Sequence, residues 1–264
     1  MLFDDPLLVK AESGRGMVLT PRATQMTRSL QSIIEMLNQV AGDQGQLETA
    51  KAARTFRIAA NDYALDRLAR DVIIKGAGGS EASRIVFVAP RYPSSVEALE
   101  NGDLDLLLDT DRNIPQGLKA RILIQDAFVA AHRQNHPRGT APLTIDSYCQ
   151  MKHLVVSSIR ENLRGHMDEI LIDIGRRREV VGVMESFATI PKILSQSDFI
   201  ATLPGRIFES HDHDLNTFEL PFKCPPYTLS MAWHPRSDKD EGLKHLREIL
   251  IVASGHALGG LGQH

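Results

Sequence analysis

The chain has 264 residues, 42% of them hydrophobic, and a formal net charge of -3. This composition excludes a wholly disordered chain, and it provides no overall basic surface, so contact with nucleic acid must come from a local patch. Cys149 and Cys224 are far apart, which argues against a disulfide framework or a cysteine zinc site. Neither a signal peptide nor an apolar run of membrane-spanning length is present in the sequence, and we therefore expect a cytoplasmic protein.

The first 20 residues form a block unlike the rest of the chain. Two short apolar runs, at 7–9 and 18–19, flank a glycine-containing segment. This pattern predicts a hairpin that is too small to bury a core of its own.

A helix is predicted to begin at Thr20-Pro21, since threonine can cap free amides and proline fits the first helical position. Apolar residues then recur at alternating steps of three and four, the spacing of a coiled-coil seam; they are Ala23, Met26, Leu30, Ile33, Leu37 and Val40. We expect this helix to pair with a second chain. Packing against its own globular domain is the alternative.

From Arg54 onwards, apolar strands and amphipathic helices alternate. Strands are predicted at 56–60, 85–89, 104–108, 122–124 and 128–131, and after a polar stretch at 153–157, 180–183, 199–203 and 227–233. Helices are predicted at 63–75, 94–101, 163–174, 185–195, 206–210 and 240–253. This alternation predicts two α/β halves with parallel sheets, and a ligand cleft between them.

Residues 2–9, 14–17 and 19–23 combine an acidic start, a glycine-containing turn and a threonine-proline helix start. Together they resemble the wing of the winged helix-turn-helix in the family of LysR-type transcriptional regulators. Weaker likenesses, at Gly102–Leu106, Ile190–Leu194 and Asp198–Pro204, resemble parts of its sensing domain. Within the family, the sequence is similar to the subgroup of nodulation and aromatic-acid regulators.

The resemblance implies an α/β fold in which a long N-terminal linker helix precedes two Rossmann-like lobes of periplasmic-binding-protein type. It divides the chain into a wing remnant of a truncated winged helix-turn-helix (1–20), a dimerising linker helix and hinge (21–53), and an effector-binding domain (54–264). In that domain, lobe I would comprise 54–134 and 226–254, and lobe II would comprise 135–225.

The function that this resemblance implies is transcription regulation. A small effector would bind between the lobes and alter a DNA-bound dimer or tetramer. We expect this chain to lack the recognition helix, which precedes the wing in the family. A solute-binding protein of the same fold, without a DNA role, is the alternative; it would need an export signal and no coiled-coil helix.

The resemblance places three segments on the cleft, around Asn61, Arg160 and Ser186. Each is expected to open a helix, whose unpaired amides suit an aromatic or other carboxylate. The candidate effector-binding residues are Asn61, Asp62, Tyr63, Ser158, Arg160, Arg164, His166, Ser186, Phe187 and Thr202. Plain helix capping by Asn61 or Asp62, surface positions for the arginines and core positions for Tyr63 and Phe187 remain alternatives.

The DNA-contact candidates lie on and beside the hairpin: Lys10, Arg15, Gly16 and Arg22. Arg15, at a glycine-rich tip, suits a minor groove or a phosphate, and a solvated hairpin is the alternative. The residues predicted to form the dimer helix seam are Met26, Leu30, Ile33 and Leu37.

We predict no catalytic, metal or cofactor site. The cluster at 211–214, His-Asp-His-Asp, is better explained as a solvated loop, because neighbouring residues do not converge on one ion. Gly76–Ser80 lacks the Lys-Ser/Thr of a phosphate loop. Ser157 and Ser158 have no indicated base partner, so we do not expect an enzyme.

Overall fold

The computed structural model describes residues 5–10, 16–41, 54–77, 83–157, 165–209 and 215–255. The chain divides into two compact units, Met1–Lys51 and Ala52–His264.

The N-terminal unit contains a hairpin followed by a helix, as predicted. Strand β1 (Leu8–Lys10) pairs antiparallel with β2 (Met17–Leu19), and helix α1 runs over Pro21–Ala41. The Thr20 hydroxyl accepts a hydrogen bond from the Ala23 amide at 3.1 Å and donates to the Asp5 carboxylate at 2.8 Å. Thr20 therefore caps α1 and ties its start to the chain that enters the hairpin.

One face of α1 carries apolar side chains that its own unit does not bury. Leu30, Ile33 and Ile34 are 53%, 51% and 54% exposed. Since these positions lie three and four residues apart, they form one stripe on the helix. Pairing of this stripe with a second chain stays a prediction, and the side chain of Leu37 lies outside the described residues.

We expect Leu30→Asp combined with Ile33→Asp to dissociate the assembly, because pairing would then bury unpaired carboxylates. Light scattering should report a fall to the single-chain mass of 29.2 kDa. Ser29→Asp with Ser32→Asp is the matched control, one position away and also exposed. An unchanged mass of the seam variant would show that assembly depends on another surface.

The C-terminal unit contains two five-stranded sheets. The first belongs to lobe I and has the strand order β4-β3-β5-β12-β6. Its strands are β3 (Thr55–Ala60), β4 (Arg84–Val88), β5 (Leu106–Thr110), β6 (Lys119–Asp126) and β12 (Tyr227–Trp233). Its helices are α2 (Asp62–Ala77), α3 (Ser94–Asn101) and α8 (Glu241–Ala253).

The second sheet belongs to lobe II and has the strand order β11-β7-β10-β8-β9. Its strands are β7 (Phe128–Arg133), β8 (Lys152–Val156), β9 (Glu179–Met184), β10 (Ile200–Pro204) and β11 (Leu215–Glu219). Its helices are α4 (Ile145–Gln150), α5 (His166–Asp173), α6 (Ile190–Leu194) and α7 (Arg206–Glu209). Short 3-10 turns cover Asp111–Asn113 and Pro235–Ser237.

The two-lobed α/β fold is confirmed, but the predicted wholly parallel sheets are wrong. β12 runs antiparallel to β5 and β6, and β7 runs antiparallel to β10 and β11. Both strands begin just after the chain has crossed from the other lobe, so no helical crossover sets them parallel to their neighbours.

The predicted boundary of lobe I at residue 134 is also wrong. Only Ala127 separates β6 in the first sheet from β7 in the second. Apolar residues occur in both strands, at 122–124 and 128–131, and no glycine or proline between them marks the change of sheet. β11 and α4 were not predicted. β11 is a half-buried strand at the edge of its sheet, and α4 is a capped helix of only six residues.

The main hydrophobic core is continuous between the lobes. Residues of β3, α2 and α8 in lobe I join residues of β10, α6 and α7 in lobe II in one buried cluster. Two smaller cores cover the remaining sheet faces, around Leu99 and Leu107 in lobe I and around Tyr148 and Leu171 in lobe II. The cleft therefore lies at the edge of a shared core.

Candidate functional site

Asn61 is fixed entirely by protein contacts at the end of β3. Its side-chain oxygen accepts a hydrogen bond from the Ala64 amide at 2.9 Å, so Asn61 caps α2, the alternative left open by the sequence. Its side-chain amide donates to Asp109 at 2.7 Å and to the Tyr227 hydroxyl at 3.0 Å. Asn61 thus positions the wall of the cleft more than it offers a free group to a ligand.

Asp109 is a buried carboxylate at the end of β5. Besides Asn61, it accepts hydrogen bonds from the Tyr92 hydroxyl at 3.0 Å, the Asn113 amide at 3.3 Å and the Thr110 backbone amide at 2.7 Å. Burial, and then the charge of Asp109, raise the pKa of Tyr92. Neutral donors satisfy this acid, and sequence reasoning missed it because the donors come from four separate positions.

Asp126 links the two lobes at the point where the chain crosses. Its carboxylate accepts a hydrogen bond from the Tyr63 hydroxyl of lobe I at 2.9 Å and from the Arg206 backbone amide of lobe II at 3.1 Å. Next to it, the Gly205 amide donates to the Ala127 carbonyl at 2.8 Å. Burial, and then Asp126, raise the pKa of Tyr63.

Four aromatic rings meet between the lobes. Tyr63 and Tyr227 of lobe I lie 4.8 Å apart between ring centroids. Phe187 of lobe II approaches them at 6.1 and 5.8 Å, and Phe128 lies 6.0 Å from Tyr227. These are edge-to-face contacts, the arrangement that aromatic pairs prefer. Tyr63 and Phe187, predicted at the cleft, are brought together, while both also pack in the main core.

Asp62 makes a hydrogen-bonded contact across the cleft. Its Oδ2 accepts from the Ser186 hydroxyl at 2.8 Å and from the Ala188 amide at 3.1 Å. Ser186 lies 3.0 Å from the Thr189 hydroxyl; because the Ser186 proton goes to Asp62, Thr189 is the donor in that pair. The Asp62 carboxylate of lobe I thus accepts the hydrogen bonds that Ser186 and Ala188 of lobe II can donate.

The prediction that Ser186 opens a helix is wrong. α6 begins only at Ile190, and the chain from Glu185 to Thr189 forms bends and turns. The Ser186 and Ala188 groups that face Asp62 therefore belong to a loop, not to a helix terminus, and no helix dipole acts through them.

Arg112 and α5 make a second contact between the lobes. The Arg112 guanidinium of lobe I lies 2.6 Å from the Glu169 carboxylate of lobe II and also contacts His166, another predicted site residue. Burial, and then the charge of Arg112, lower the pKa of His166. Phe128 lies 6.1 Å from the His166 ring, so this contact borders the aromatic rings.

Thr202 is not brought to the cleft. Its neighbours on β10, Ala201 and Leu203, belong to the shared core, and side chains alternate along a strand. Thr202 accordingly faces the opposite side of the sheet, where its hydroxyl lies 2.8 Å from that of Tyr148. Ser158, Arg160 and Arg164 lie outside the described residues.

A buried ion pair, missed from sequence, holds the start of α5. Arg178 contacts both oxygens of Asp168 at 2.8 Å, and its side chain is 2% exposed. Although burial opposes it, hydrogen bonding from Arg178 lowers the pKa of Asp168. Asp168 also accepts from the Gly165 amide at 2.7 Å. In sequence, Arg178 ends a run of three arginines that is typical of a solvated surface, so its burial gave no local signal.

Among the described residues, no group of three or more His, Cys, Asp or Glu side chains is placed to hold a metal ion. Over the same residues, no helix combines the length and apolar character needed to cross a bilayer. The cluster at 211–214 lies outside the described residues. A groove of about 680 Å³ follows β11 at the outer edge of lobe II, not the cleft.

Residues 85–253 match the family described as "LysR substrate binding domain". The chain belongs to the LysR-type transcriptional regulators. It is 28% identical over 255 residues to the HTH-type transcriptional activator NahR of Pseudomonas putida, an alignment that covers 94% of this chain and 83% of NahR.

Solved structures of LysR-type and related regulators have the same fold. A probable transcriptional regulator of Pseudomonas aeruginosa aligns with a TM-score of 0.71 and 25% identity, covering 97% of this chain and 84% of that one. The BenM effector-binding domain with its effector benzoate aligns with a TM-score of 0.63 and 17% identity, covering 81% and 100%. At 17% identity, the similarity to BenM shows only that the two lobes have the same fold.

We expect folding stability to depend on pH through His153, whose ring centroid lies 4.5 Å from that of Tyr148 and whose Nδ1 faces Arg178. Burial, and then the charge of Arg178, lower its pKa from 6.5 to about 3. The unfolded chain therefore binds a proton that the folded chain excludes, and folding stability falls as the pH drops from 6.5 towards 3, by about 1.4 kcal/mol per unit.

Urea unfolding at several pH values should show a shallower acid slope for His153→Gln, which keeps a donor for the Tyr148 carbonyl. His245→Gln, at an exposed histidine, is the control and should retain the original slope. Identical slopes for all three proteins would refute the assignment.

Proposed function

We propose that this chain senses a small aromatic effector between its lobes and passes the resulting change of lobe geometry to a DNA-bound assembly. The observation that carries the proposal is the meeting of rings from both lobes: Tyr63 and Tyr227 against Phe187, 6.1 Å or less between centroids. Polar inter-lobe contacts flank these rings.

The chemistry of the cleft suits a planar apolar ligand with a few polar groups. In this structure, the rings of the two lobes contact one another directly, so a ligand must part them and replace ring-to-ring contact with its own. That replacement requires a movement of the lobes, and a ligand that binds the two arrangements unequally shifts their populations. The benzoate complex of BenM supports a ring-shaped ligand in a domain of this fold.

Catalysis is not part of the proposal. Within the described part of the cleft, the Tyr63 and Ser186 hydroxyls donate to carboxylates. His166 contacts an arginine and a glutamate, which leaves it without the nucleophile that a general base would activate. The relatives found are regulators, which favours the same role here over that of a transport protein.

DNA contact is proposed for the hairpin. Lys10, Gly16 and Arg22 are exposed, and Gly16 has a φ of 100°, a backbone conformation that favours glycine. Exposed cations on and beside a small hairpin suit phosphate contacts, which fix orientation on the duplex. Arg15 lies outside the described residues. Pairing of two chains through α1 completes the proposal.

A thermal-shift panel tests the effector site. We expect benzoate, benzamide or benzamidine to raise the melting temperature, and cyclohexanecarboxylate, acetate and glucose to have smaller effects. Ser186→Leu should abolish the ligand-induced shift by filling the cleft, and should lower the stability of the unliganded chain by only about 1 kcal/mol for the lost hydrogen bond.

Gln196→Leu, at an exposed position of the same lobe, is the matched control and should respond like the unmodified chain. The proposed function fails if no aromatic compound stabilises the protein, or if Ser186→Leu retains the full shift.

A further inference from the structure

The Asp62 carboxylate is satisfied on one side only. Its Oδ2 accepts two hydrogen bonds from lobe II, from Ser186 and Ala188. Its Oδ1 is buried and has no hydrogen-bond partner among the described residues. A buried acceptor without a donor is costly, and native structures rarely keep one unless another group completes it.

The surroundings of this oxygen place it in the ligand cleft. Asp62 begins α2 directly after Asn61, and the next residue is Tyr63, whose ring contacts Phe187 of the facing loop. The loop that holds Oδ2 therefore also supplies the ring on the other side of the cleft. Asp62 therefore lies next to the two rings between which a ligand would enter.

The lobe I wall is electronegative at this end. Asp62, Asp109 and Asp126 all lie at its edge, and the donors to the two buried acids, Asp109 and Asp126, are hydroxyls and amides. After burial itself, the charges of Asp109 and Asp62 contribute to the raised pKa of Tyr227, although the hydrogen bond from Asn61 opposes them. A second anion brought against this wall is repelled, whereas a donor is attracted.

We propose that Asp62 determines the specificity of the cleft, by requiring at this end a ligand group that donates hydrogen bonds and carries no negative charge. This inference rests on the proposed function, since it assigns the chemistry of the same site. An effector carboxylate, the group predicted from sequence, would then lie at the other end, beside Arg112 and His166.

Benzamidine and benzoate are a matched pair of probes, equal in size and opposite in charge, and the amidinium offers donors only. Calorimetry on Asp62→Asn should show benzamidine binding weakened about tenfold or more, the effect of losing a charge-assisted hydrogen bond. Benzoate binding should be unchanged or tighter, because the replaced side chain no longer repels it. Asp66→Asn, on an exposed position of α2, is the control and should change neither affinity.

The possible outcomes distinguish failure of the specificity proposal from failure of the proposed function. If Asp62→Asn weakens both probes equally, Asp62 only holds the lobes together and the specificity proposal is overturned, while the proposed function stands. If benzamidine does not bind the unmodified chain, the specificity proposal is likewise overturned. The proposed function falls if the whole aromatic panel fails to stabilise the protein or if Ser186→Leu retains the full shift, and neither outcome depends on Asp62.

Discussion

The Asp126 carboxylate is the contact through which the two lobes are held at their common edge. It lies at the end of β6, one residue before the chain enters the second sheet, and binds Tyr63 of one lobe and the Arg206 amide of the other. A buried carboxylate that lost these donors would be left unsatisfied, at a cost of a few kcal/mol. A relative movement of the lobes therefore costs least when this contact is kept as a pivot.

Contacts away from this pivot are far easier to break. The Arg112–Glu169 pair has side chains that are 49% and 65% exposed. The Arg67–Glu209 pair joins α2 to α7 at 3.5 Å, with side chains that are 25% and 60% exposed. Exposed ion pairs contribute only about 0–1 kcal/mol each. The Asp126 contact is thus buried, whereas these two ion pairs reach solvent and cost less to exchange for contacts with a ligand.

The fold was largely predictable from local sequence patterns. In β3, α2, β4, α3 and β5, the pattern of apolar residues is typical of the strand or helix that each one forms. What could not be predicted depends on partners distant in sequence. The position of Asn61 after a strand was predicted. Its hydrogen bond to Asp109 was not, because Asp109 is 48 residues away. The change of sheet at Ala127 and the burial of Arg178 likewise follow from packing and leave no local trace. Ser186 was expected to open a helix, but it lies in a loop, where its hydroxyl contacts Asp62 of the other lobe.

The aromatic rings determine how a ligand can replace contacts between the lobes. Phe187 packs against the shared core and at the same time touches Tyr63 and Tyr227, so a ligand that separates these rings also disturbs the core. A planar ring restores edge or stacking contacts on both sides, whereas an aliphatic group of the same volume leaves part of each ring face without a partner. Under the proposed function, a ligand shifts the equilibrium only by the difference between its affinities for the two arrangements, and its ring would supply much of that difference. Polar groups at the two ends of the cleft would then decide which ring-shaped molecules bind.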